Sequence, residues 1–569
     1  MSEAVQVAAQ TGVRRLSRIR ARARAAAPTR VEIALAVASS ALLILSFPDF
    51  NLWPLAWVAL VPLLVAVAGR PEAARSFLLG WITATVFFFG SCYWLTYAMV
   101  RYGHIPAWIA YPLVVPGAMV VGIFPALCCL LLARLIVRRG TVALIFAPLL
   151  WAALEWARLA VTGQLWNALG YSQAYVTPLI QSASWGGVYS VSFLIVAINS
   201  AITYALIKRT VRAVLLSLLI AAFVGGVMLA SNQYTKAFAS TVSRPDAVAI
   251  AVQPNVPMEP VEDLAETEAL VERHRSLSKE ALGVWERQGR LSNGDVVKIE
   301  GDRSQDGALA SRQAIPRLVI WPESPMNFTY ANDTALREWI ARFATENRVA
   351  VILNSLEPAP AGGAYNSALM INEEGRKVSQ YDKIRLLPFG EYVPLPRWLP
   401  GVNLVPVMVG DFTPGADYPL MQAGGGTRVG VFICFESAFP SISREFAGRG
   451  ADVLINISND GYLGPTPVMR QHLANTVFRA VENGRAVVRV TNTGISAYIT
   501  PRGQVIGATE GFKPNARVWP LNRANVGKTF YTRYGDLFVS LCALLSLLML
   551  ATTIRKSRES GESGEKNVF

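Results

Sequence analysis

Charged residues are scarce in this sequence. They make up 16% of the 569 residues, whereas about 25% is usual for soluble globular proteins. Apolar residues make up 52% of the chain, and its mean hydropathy is +0.34. This composition excludes an intrinsically disordered chain, which needs low hydropathy and high charge. It also excludes an ordinary soluble enzyme, because so much apolar surface has to lie in lipid.

Histidine and cysteine are also few. The three histidines, His104, His274 and His472, are scattered along the chain, so a histidine-rich metal site is not expected. Of the five cysteines, only Cys434 lies outside the apolar runs. It therefore has no disulfide partner in the polar part of the chain, and no Cys-x-x-Cys pattern occurs. We predict neither a bound metal nor another cofactor.

Acidic residues are outnumbered by basic ones, which gives a net charge of +14 and an isoelectric point of about 9.7. The basic residues cluster beside apolar runs, which is typical of the cytoplasmic side of a membrane protein and argues against binding to nucleic acid. An Arg-rich leader also fits a signal or transit segment, but no small-residue cleavage site follows the first apolar run. Seven arginines precede that run: Arg14, Arg15, Arg18, Arg20, Arg22, Arg24 and Arg30.

Long apolar runs predict a polytopic helical bundle of about eight membrane spans. With the N-terminus inside, nineteen Lys and Arg residues flank the inner ends of these spans, and two, Arg101 and Arg158, fall in the short outer loops. The positive-inside rule then places both termini in the cytoplasm and residues 233–530 outside. The predicted spans are 32–47, 52–68, 77–100, 105–132, 141–162, 186–207, 213–230 and 537–554.

The polar part of the chain, from 246 to 525, has short β-rich runs that alternate with helical stretches, which predicts one α/β domain. Predicted strands are Val248–Gln253, Arg317–Trp321, Val349–Asn354, Ala368–Asn372, Val429–Cys434, Val453–Ser458, Val487–Thr491 and Ser496–Thr500. Predicted helices are 260–285, 333–347, 440–449 and 467–483.

The resulting domain division has five parts. It consists of a basic cytoplasmic tail (1–30), seven transmembrane helices (31–232), the α/β catalytic domain (233–528), an eighth transmembrane helix (529–555) and a second cytoplasmic tail (556–569). Residues 287–316 are polar and lack an apolar period, so we expect a mobile surface insertion there.

Three short segments carry chemistry at or near strand ends. They contain Glu323 (IWPES), Lys383 (YDK, followed by LPFGEY with Glu391) and Cys434 (VFICFE, with Glu436). A nearby ammonium raises the thiolate fraction of a cysteine, and a carboxylate can take the thiol proton and return it. The ammonium can also stabilise the oxyanion that forms when the thiol attacks a carbonyl group. Glu391 and Glu436 would orient Lys383 or the proton carrier.

These segments resemble the Glu-Lys-Cys triad of the nitrilase superfamily. With its flanking spans, nearly the whole chain resembles the apolipoprotein N-acyltransferase family of bacterial inner-membrane enzymes. Further segments are similar to that family: Gly163–Gln173 (GQLWNALGYSQ), Tyr365–Ser367, Asn459–Gly464 and Arg489–Gly494. The resemblance implies that the α/β domain is an extracytoplasmic αββα sandwich, and that the enzyme completes lipoprotein maturation.

The resemblance also implies roles. Glu323 would be the general base and acid, Lys383 would stabilise the tetrahedral intermediate, and Cys434 would carry the acyl group as a thioester. The donor would be a phospholipid, typically phosphatidylethanolamine, and the acceptor the N-terminal amine of S-diacylglyceryl-cysteine in an apolipoprotein. Glu391 and Glu436 would support the triad. Independently of the resemblance, we take a monomer as the default. Substrate contacts are expected of Phe435, Phe389, Tyr392, Asn366, Trp166, Gly170, Tyr171, Tyr462 and Arg489.

Other readings of the triad remain open. A membrane-tethered amidohydrolase would use the same three residues with water as the second acceptor. A catalytically inert domain could bind lipids or lipoproteins as a sensor, although the intact set of Glu323, Lys383 and Cys434 argues against it. Transport is disfavoured because the predicted spans hold few ionisable residues, of which Glu155 is the main one.

Overall fold

The computed structural model describes residues 27–238, 245–258, 264–288, 315–323, 326–360, 362–388, 390–393 and 412–565. Three expectations fall outside these ranges: the basic tail up to residue 26, residues 289–314 of the predicted insertion, and the substrate contact of Phe389.

The α-helices are α1 (Arg30–Ser46), α2 (Val61–Gly69), α3 (Ala73–Cys92), α4 (Leu95–Arg101), α5 (Ala107–Arg139), α6 (Ala147–Thr162), α7 (Ala183–Lys208), α8 (Val211–Thr235), α9 (Leu264–Gln288), α10 (Thr334–Asn347), α11 (Pro440–Arg449), α12 (Val468–Asn483), α13 (Phe530–Tyr534) and α14 (Leu537–Glu565). The strands are β1 (Ala247–Gln253), β2 (Arg317–Ile320), β3 (Ala350–Pro358), β4 (Ala364–Ile371), β5 (Lys377–Asp382), β6 (Leu420–Gln422), β7 (Arg428–Ile433), β8 (Val453–Ser458), β9 (Ala486–Thr491), β10 (Ala497–Ile499), β11 (Val505–Ile506) and β12 (Asn515–Leu521).

The chain forms two compact units. The helical unit comprises Met1–Ser172, Tyr189–Val227 and Leu537–Phe569, and the α/β unit comprises Gln173–Val188 and Met228–Asp536. Residues 173–188, which the sequence assigned to a loop and the start of the sixth span, thus belong to the α/β unit.

Each predicted span coincides with helical structure. Among the described residues, five helical segments are long and apolar enough to cross a membrane: Ala73–Cys92, Ala107–Arg139, Thr141–Thr162, Ala183–Lys208 and Val211–Phe238. Trp53–Gly69 and Leu537–Thr552 are shorter apolar helical segments, and α1 has 17 residues. The number of crossings therefore stays a prediction, because length and composition alone support five.

Within the helical unit, a charge pair with one buried member connects the starts of α1 and α3. Thr29 caps α1 in a capping box with Glu32, which satisfies two of the free amide groups at the helix start. The Glu32 carboxylate lies 2.7 Å from the Arg75 guanidinium, and Arg75 is fully buried. Since an unpaired buried charge is costly, this pair favours one arrangement of the two helix ends.

The α/β unit contains two six-stranded sheets, in the orders β12-β1-β2-β3-β4-β5 and β11-β10-β9-β8-β7-β6. In each sheet three neighbouring strands are parallel, β1-β2-β3 and β7-β8-β9, and the outer strands are antiparallel. The sheets face each other through β1 with β9 and β4 with β7. Helices α9 and α10 pack on the first sheet and α11 and α12 on the second, which gives the expected αββα order.

Helix α12 is buried along almost its entire length, since fourteen of its sixteen residues are buried. Its buried positions include His472, Arg479 and Glu482. Because buried polar groups need partners, this helix builds internal networks in place of a solvated face.

The structure contains four strands that the sequence did not predict, namely β5, β6, β11 and β12. Each is the outermost strand of its sheet. Edge strands are short or partly exposed, so their residues lack the apolar alternation that identifies inner strands. In β5 (KVSQYD), Lys377 and Val378 are exposed. This strand matters because Lys383 follows it directly.

Candidate active site

A sharp turn at Cys434, the predicted nucleophile, lies between β7 and a 3-10 helix over Cys434–Ala438. Cys434 has a φ of +51°, in the left-handed region that costs a non-glycine residue of order 1–3 kcal/mol. Its carbonyl oxygen accepts hydrogen bonds from His472 Nε2 at 3.0 Å and from Asn456 Nδ2 at 3.5 Å. The surrounding structure therefore supports an unfavourable backbone conformation at the thiol.

Burial and the negative charge of Glu323 raise the pKa of the Cys434 thiol, while Lys383 acts in the opposite direction. The net shift is upward, so the resting cysteine is a thiol. This finding differs from the sequence-based expectation that Lys383 increases the thiolate fraction, because that expectation took no account of burial. A base is consequently required at the moment of attack.

Lys383 follows β5 and is almost fully buried. Its Nζ lies 2.8 Å from Glu391 Oε1 and 3.5 Å from Glu323 Oε1. Burial alone would lower the pKa of Lys383, but the charges of Glu323 and Glu391 raise it above its ordinary value. The lysine therefore stays an ammonium ion and supplies a fixed positive charge between two carboxylates.

Glu323 follows β2, at the carboxyl end of a parallel strand. Its Oε1 accepts from Asn366 Nδ2 at 2.9 Å as well as facing Lys383, and its Oε2 accepts from the backbone N–H of Asn459 at 3.2 Å. The side chain keeps 14% of its surface exposed, against 1% for Lys383. Glu323 is thus the carboxylate of this group with access to a substrate or a proton.

Asn366 joins the two carboxylates, because its Nδ2 donates to Glu323 Oε1 and to Glu391 Oε1, both at 2.9 Å. Its Oδ1 accepts from Asn354 Nδ2 at 2.7 Å. Both amide hydrogens and the carbonyl oxygen are engaged by protein groups, and the residue is buried. Substrate contact is therefore no longer expected of Asn366, which instead sets the separation of Glu323 and Glu391.

Glu391 holds Lys383 directly and is itself held by its own loop. Its Oε2 accepts from the backbone N–H of Leu387 at 2.8 Å, and its side chain is buried. The ammonium of Lys383 is thereby fixed by a carboxylate that faces away from solvent, which favours one position for the charge.

Glu436 connects the segments of Lys383 and Cys434 through the backbone. Its Oε1 accepts from the N–H groups of Ile384 and Arg385 at 2.8 and 3.0 Å, and its Oε2 accepts from Ile433 N–H at 2.7 Å. The hydroxyl of Tyr381 also lies within 2.8 Å of both oxygens. Burial raises the pKa of Glu436, and these donors oppose the shift. Glu436 therefore ties the loop after Lys383 to the strand before Cys434.

The other predicted substrate residues fall into two groups. In the α/β unit, Phe435 packs edge-to-face on Phe439 with ring centroids 5.4 Å apart. Tyr462 lies in a 3-10 turn over Gly461–Leu463, where burial and the charge of Glu323 raise its pKa. Tyr392 is partly exposed.

Arg489 is fully buried and donates to Asp460 at 3.0 Å. This location is at odds with the substrate contact expected of it, since a guanidinium with no exposed surface cannot reach a lipid.

The remaining three residues belong to the helical unit. Trp166 is buried and packs on Trp94 with ring centroids 5.5 Å apart. Gly170 donates its N–H to Ser192 at 2.9 Å, and Tyr171 is buried. Within their own unit these residues contribute to a packed loop, and their contact with substrate stays a prediction.

Sequence reasoning missed two functional candidates, Asn456 and His472. Both are buried polar residues in apolar surroundings: Asn456 sits in the middle of β8 (VLINIS) and His472 on α12. An amide inside an otherwise apolar strand was the available signal, because such a group must find a buried partner. Across the described ranges, no group of three or more His, Cys, Asp and Glu residues is arranged to hold a metal ion.

Comparisons with known proteins cover both units. Residues 39–201 match the family model described as the apolipoprotein N-acyltransferase N-terminal domain, and residues 248–529 match the carbon–nitrogen hydrolase model. The apolipoprotein N-acyltransferase of Geobacter metallireducens is 32% identical over 536 residues, which are 91% of this chain and 95% of that protein. The enzyme of the same name from Allorhizobium ampelinum is 30% identical, over 84% of this chain and 87% of that protein.

A solved amidase from Nesterenkonia sp. AN1 is 18% identical and covers 52% of this chain and 98% of its own, with a TM-score of 0.34. The family assignment rests on the family models and on the full-length relatives, whose match extends through both units. The chain therefore belongs to the apolipoprotein N-acyltransferase family, and its α/β unit is a carbon–nitrogen hydrolase domain.

Proposed function

We propose that this protein transfers a fatty acyl chain from a phospholipid to the N-terminal amine of S-diacylglyceryl-cysteine in apolipoproteins, through a thioester on Cys434. The observation that carries the proposal is the arrangement of Glu323 and Lys383 around a strained, protonated thiol in a chain whose relatives bear this name. Phosphatidylethanolamine is the proposed donor.

In the first half-reaction Glu323 takes the thiol proton as sulfur attacks the ester carbonyl of the donor. A negative charge then develops on the carbonyl oxygen, and Lys383 stabilises it. Protonation of Glu323 removes one of the two carboxylate charges that face Lys383, so more of the ammonium charge is available to the oxyanion. The C–O bond breaks, the lysophospholipid alcohol leaves with the proton from Glu323, and a thioester remains.

In the second half-reaction the acceptor amine attacks the thioester carbonyl. Glu323 takes a proton from the amine and gives it to the departing sulfur, so that the products are an amide and the original Cys434 thiol. Glu391 and Asn366 keep their contacts with Lys383 and Glu323 in both halves. Glu323, Lys383 and Cys434 therefore act first on the phospholipid donor and then on the amine acceptor, as ping-pong chemistry requires.

Both substrates are anchored in lipid, which supports a membrane-bound enzyme. The apolar helices would hold the α/β unit at the bilayer surface, and the excess of basic residues at one end of the spans supports cytoplasmic termini and a periplasmic catalytic domain. Burial of an acyl chain contributes about 0.8 kcal/mol per CH₂ group, so the donor chain itself supplies much of the binding free energy.

Intact-mass spectrometry tests the thioester. Full-length protein in detergent is mixed with phosphatidylethanolamine that carries palmitate at sn-1 and oleate at sn-2, and Cys434→Ala and Cys542→Ala are treated in parallel. We expect one acyl adduct, cleaved by hydroxylamine, on the wild type and on Cys542→Ala, and none on Cys434→Ala. Its mass identifies the donor position.

A diacylglyceryl-cysteine lipopeptide added afterwards should remove the adduct and gain the same mass. Free fatty acid without acylated lipopeptide would replace this proposal with the amidohydrolase reading. Folded wild-type protein with neither adduct nor turnover would support the binding-module reading.

A further inference from the structure

We propose that a buried ring of four side chains, Asn456, Asp460, His472 and Arg489, positions the nucleophile by holding the carbonyl oxygen of Cys434. We call this set the carbonyl ring. It deepens the proposed function, because it rests on Cys434 being the residue that is acylated. Its members touch neither the thiol nor the reacting carbonyl, so they are positioning residues.

The carbonyl ring is closed. His472 Nε2 contacts the Cys434 oxygen at 3.0 Å, and His472 Nδ1 lies 2.7 Å from Asp460 Oδ1. Asp460 accepts from Arg489 Nη2 at 3.0 Å, and Arg489 Nη1 donates to Asn456 Oδ1. Asn456 Nδ2 then reaches the same Cys434 oxygen at 3.5 Å. Two independent routes from one guanidinium thus end on a single carbonyl group.

The four members are almost completely inaccessible to solvent, with exposures of 0% for Asn456 and Arg489, 2% for Asp460 and 3% for His472. Burial alone would raise the pKa of Asp460, but Arg489 and His472 lower it to about 2. The aspartate is therefore a carboxylate, which accepts from Arg489 and faces His472 Nδ1. Buried polar networks restrict the conformations of their members. In this one, the Nε donor of Arg489 is buried and contacts no acceptor among the described residues.

The backbone of a neighbouring loop lies in close contact with the Asp460 carboxylate of the carbonyl ring. At Gly494, in the loop after β9, a Cβ atom would collide with the Asp460 carboxylate, so this approach requires glycine. Asp460 Oδ1 also lies 3.3 Å from Ser458 Oγ. The carboxylate is held from several elements, which makes it a fixed point to which His472 and Arg489 are attached.

A held carbonyl orients the adjoining peptide unit. The peptide group is planar and trans, so the N–H of Phe435 points opposite to the Cys434 oxygen. Glu436 holds the strand before the nucleophile through Ile433 N–H at 2.7 Å. Glu436 thus fixes the Phe432–Ile433 peptide group, one residue before the strained Cys434, and the carbonyl ring fixes the Cys434–Phe435 peptide group directly after it. A misplacement of about 1 Å can lower a rate about 100-fold, which gives the scale of the effect.

His472 is the member whose replacement separates positioning from packing. Both of its ring nitrogens face oxygen acceptors, a carboxylate and a carbonyl. Glutamine can donate one hydrogen bond from a similar position, whereas phenylalanine fills the space and donates none. A matched control is His274, which is fully buried in the same unit, bonds through Nδ1 to the Leu270 carbonyl, and lies outside the carbonyl ring.

The experiment measures the rate of acyl-adduct formation at saturating phosphatidylethanolamine, the half-saturating donor concentration, and the melting temperature, for wild type, His472→Phe, His472→Gln, Asp460→Asn and His274→Phe. For His472→Phe we expect the acylation rate to fall about 10- to 100-fold with an unchanged half-saturating concentration. His472→Gln should recover a substantial part of the rate, Asp460→Asn should lie between the two, and His274→Phe should acylate like the wild type.

The proposal would be overturned if His472→Phe and His274→Phe lost acylation rate to the same extent and in proportion to their loss of melting temperature. It would also be overturned if His472→Gln acylated no faster than His472→Phe. If His472→Phe does not fold, the comparison of His472→Gln and Asp460→Asn with the wild type decides, and unchanged rates in both would overturn it. A wild type that forms no adduct would remove the proposed function together with this inference. A wild type that forms the adduct, beside variants that do so equally fast, would remove the inference alone.

Discussion

At the scale of single residues, the site is organised around one ammonium ion between two carboxylates. Lys383 is held by Glu391 at 2.8 Å and faces Glu323 at 3.5 Å. The longer contact is the one that the proposed mechanism would change, since in it Glu323 takes and returns a proton while Glu391 stays buried in its own loop. Two glutamates of the same type thereby have different tasks because of their surroundings.

Lys383→Met should lower the acylation rate about 100- to 1,000-fold, because it removes the charge that stabilises the oxyanion while keeping the side-chain length. The measurement is the time course of adduct formation from phosphatidylethanolamine. Lys377→Met is the matched control: this lysine lies at the other end of β5 and pairs with Glu357 at 3.4 Å. Equal losses in the two variants would contradict a catalytic role for Lys383.

Asn366→Ala should lower the acylation rate about 10-fold and leave the half-saturating donor concentration unchanged, because it removes a shared donor of two carboxylates and no substrate contact. Asn372→Ala, at the far end of the same hairpin, bonds only within its own turn through Arg376 N–H at 2.8 Å and serves as the control. A higher half-saturating donor concentration in Asn366→Ala would instead support the substrate contact that the sequence predicted for Asn366.

At the scale of secondary-structure elements, loops that follow different strands are joined by buried carboxylates. Glu436 joins the loop after β5 to the end of β7, and Asp460, after β8, accepts from Arg489 on β9 and contacts His472 on α12. Strand order brings these loops to one edge, and the carboxylates then set their relative positions.

Tyr381→Phe should lower the free energy of unfolding by about 1–3 kcal/mol, because it leaves the buried Glu436 carboxylate with one donor fewer. Tyr418→Phe provides the control: Tyr381 and Tyr418 both pack edge-to-face on Phe446, each with ring centroids 5.3 Å apart, but only Tyr381 donates to Glu436. Denaturant unfolding of the two variants measures the difference. Equal destabilisation would mean that aromatic packing, and not the hydrogen bond, explains the loss.

Glu482 on α12 should make stability depend on pH. Burial raises its pKa from 4.5 to about 7, against the effect of Arg479, and its Oε1 accepts from Val188 N–H at 3.0 Å. Between these two pKa values the folded state keeps a proton that the unfolded state has lost. The contribution of Glu482 to the free energy of unfolding is therefore fully present below pH 4.5. It is lost as pH rises towards 7, by ~3 kcal/mol at most.

The melting temperature at pH 5 and pH 8 measures this dependence. We expect the wild type to lose more stability than Glu482→Gln over this interval, because glutamine does not titrate. Glu445→Gln, which removes an exposed partner of Arg449 on α11, should behave like the wild type. An equal change in melting temperature between pH 5 and pH 8 for the wild type and Glu482→Gln would show that Glu482 is already ionised at pH 5.

At the scale of the whole molecule, the chain combines an apolar helical unit with an α/β unit, and the family assignment covers both. The orientation of this assembly in the membrane is a prediction from basic residues. It follows from nineteen such residues at one set of span ends and two at the other.

Cysteine labelling tests the orientation. In a Cys434→Ala background, Arg376→Cys reports on the α/β unit and Arg209→Cys on the loop between α7 and α8, and both positions are exposed. A membrane-impermeant maleimide should label Arg376→Cys in spheroplasts, and Arg209→Cys only after lysis, because charged reagents do not cross the bilayer. The opposite pattern would place the catalytic domain in the cytoplasm.

The sequence alone identified the helical segments, the inner strands and the three residues of the proposed triad. Long apolar runs are identified by composition alone, and inner parallel strands read as continuous apolar segments because they are buried on both faces. Both are therefore readable without tertiary information. The four edge strands were not readable, because short or partly exposed strands lack the apolar alternation that identifies inner strands. Glu323, Lys383 and Cys434 could be named because their motifs resemble those of a known family.

Only the tertiary structure decided what the surrounding polar residues do. Asn366 and Arg489 were expected at the substrate, and their burial and partners make them internal supports. Asn456 and His472 gained a role because β8 and α12 bring them to one carbonyl group. The thiol pKa likewise depends on burial and on Glu323. These properties arise from contacts between distant parts of the chain, and no local pattern encodes them.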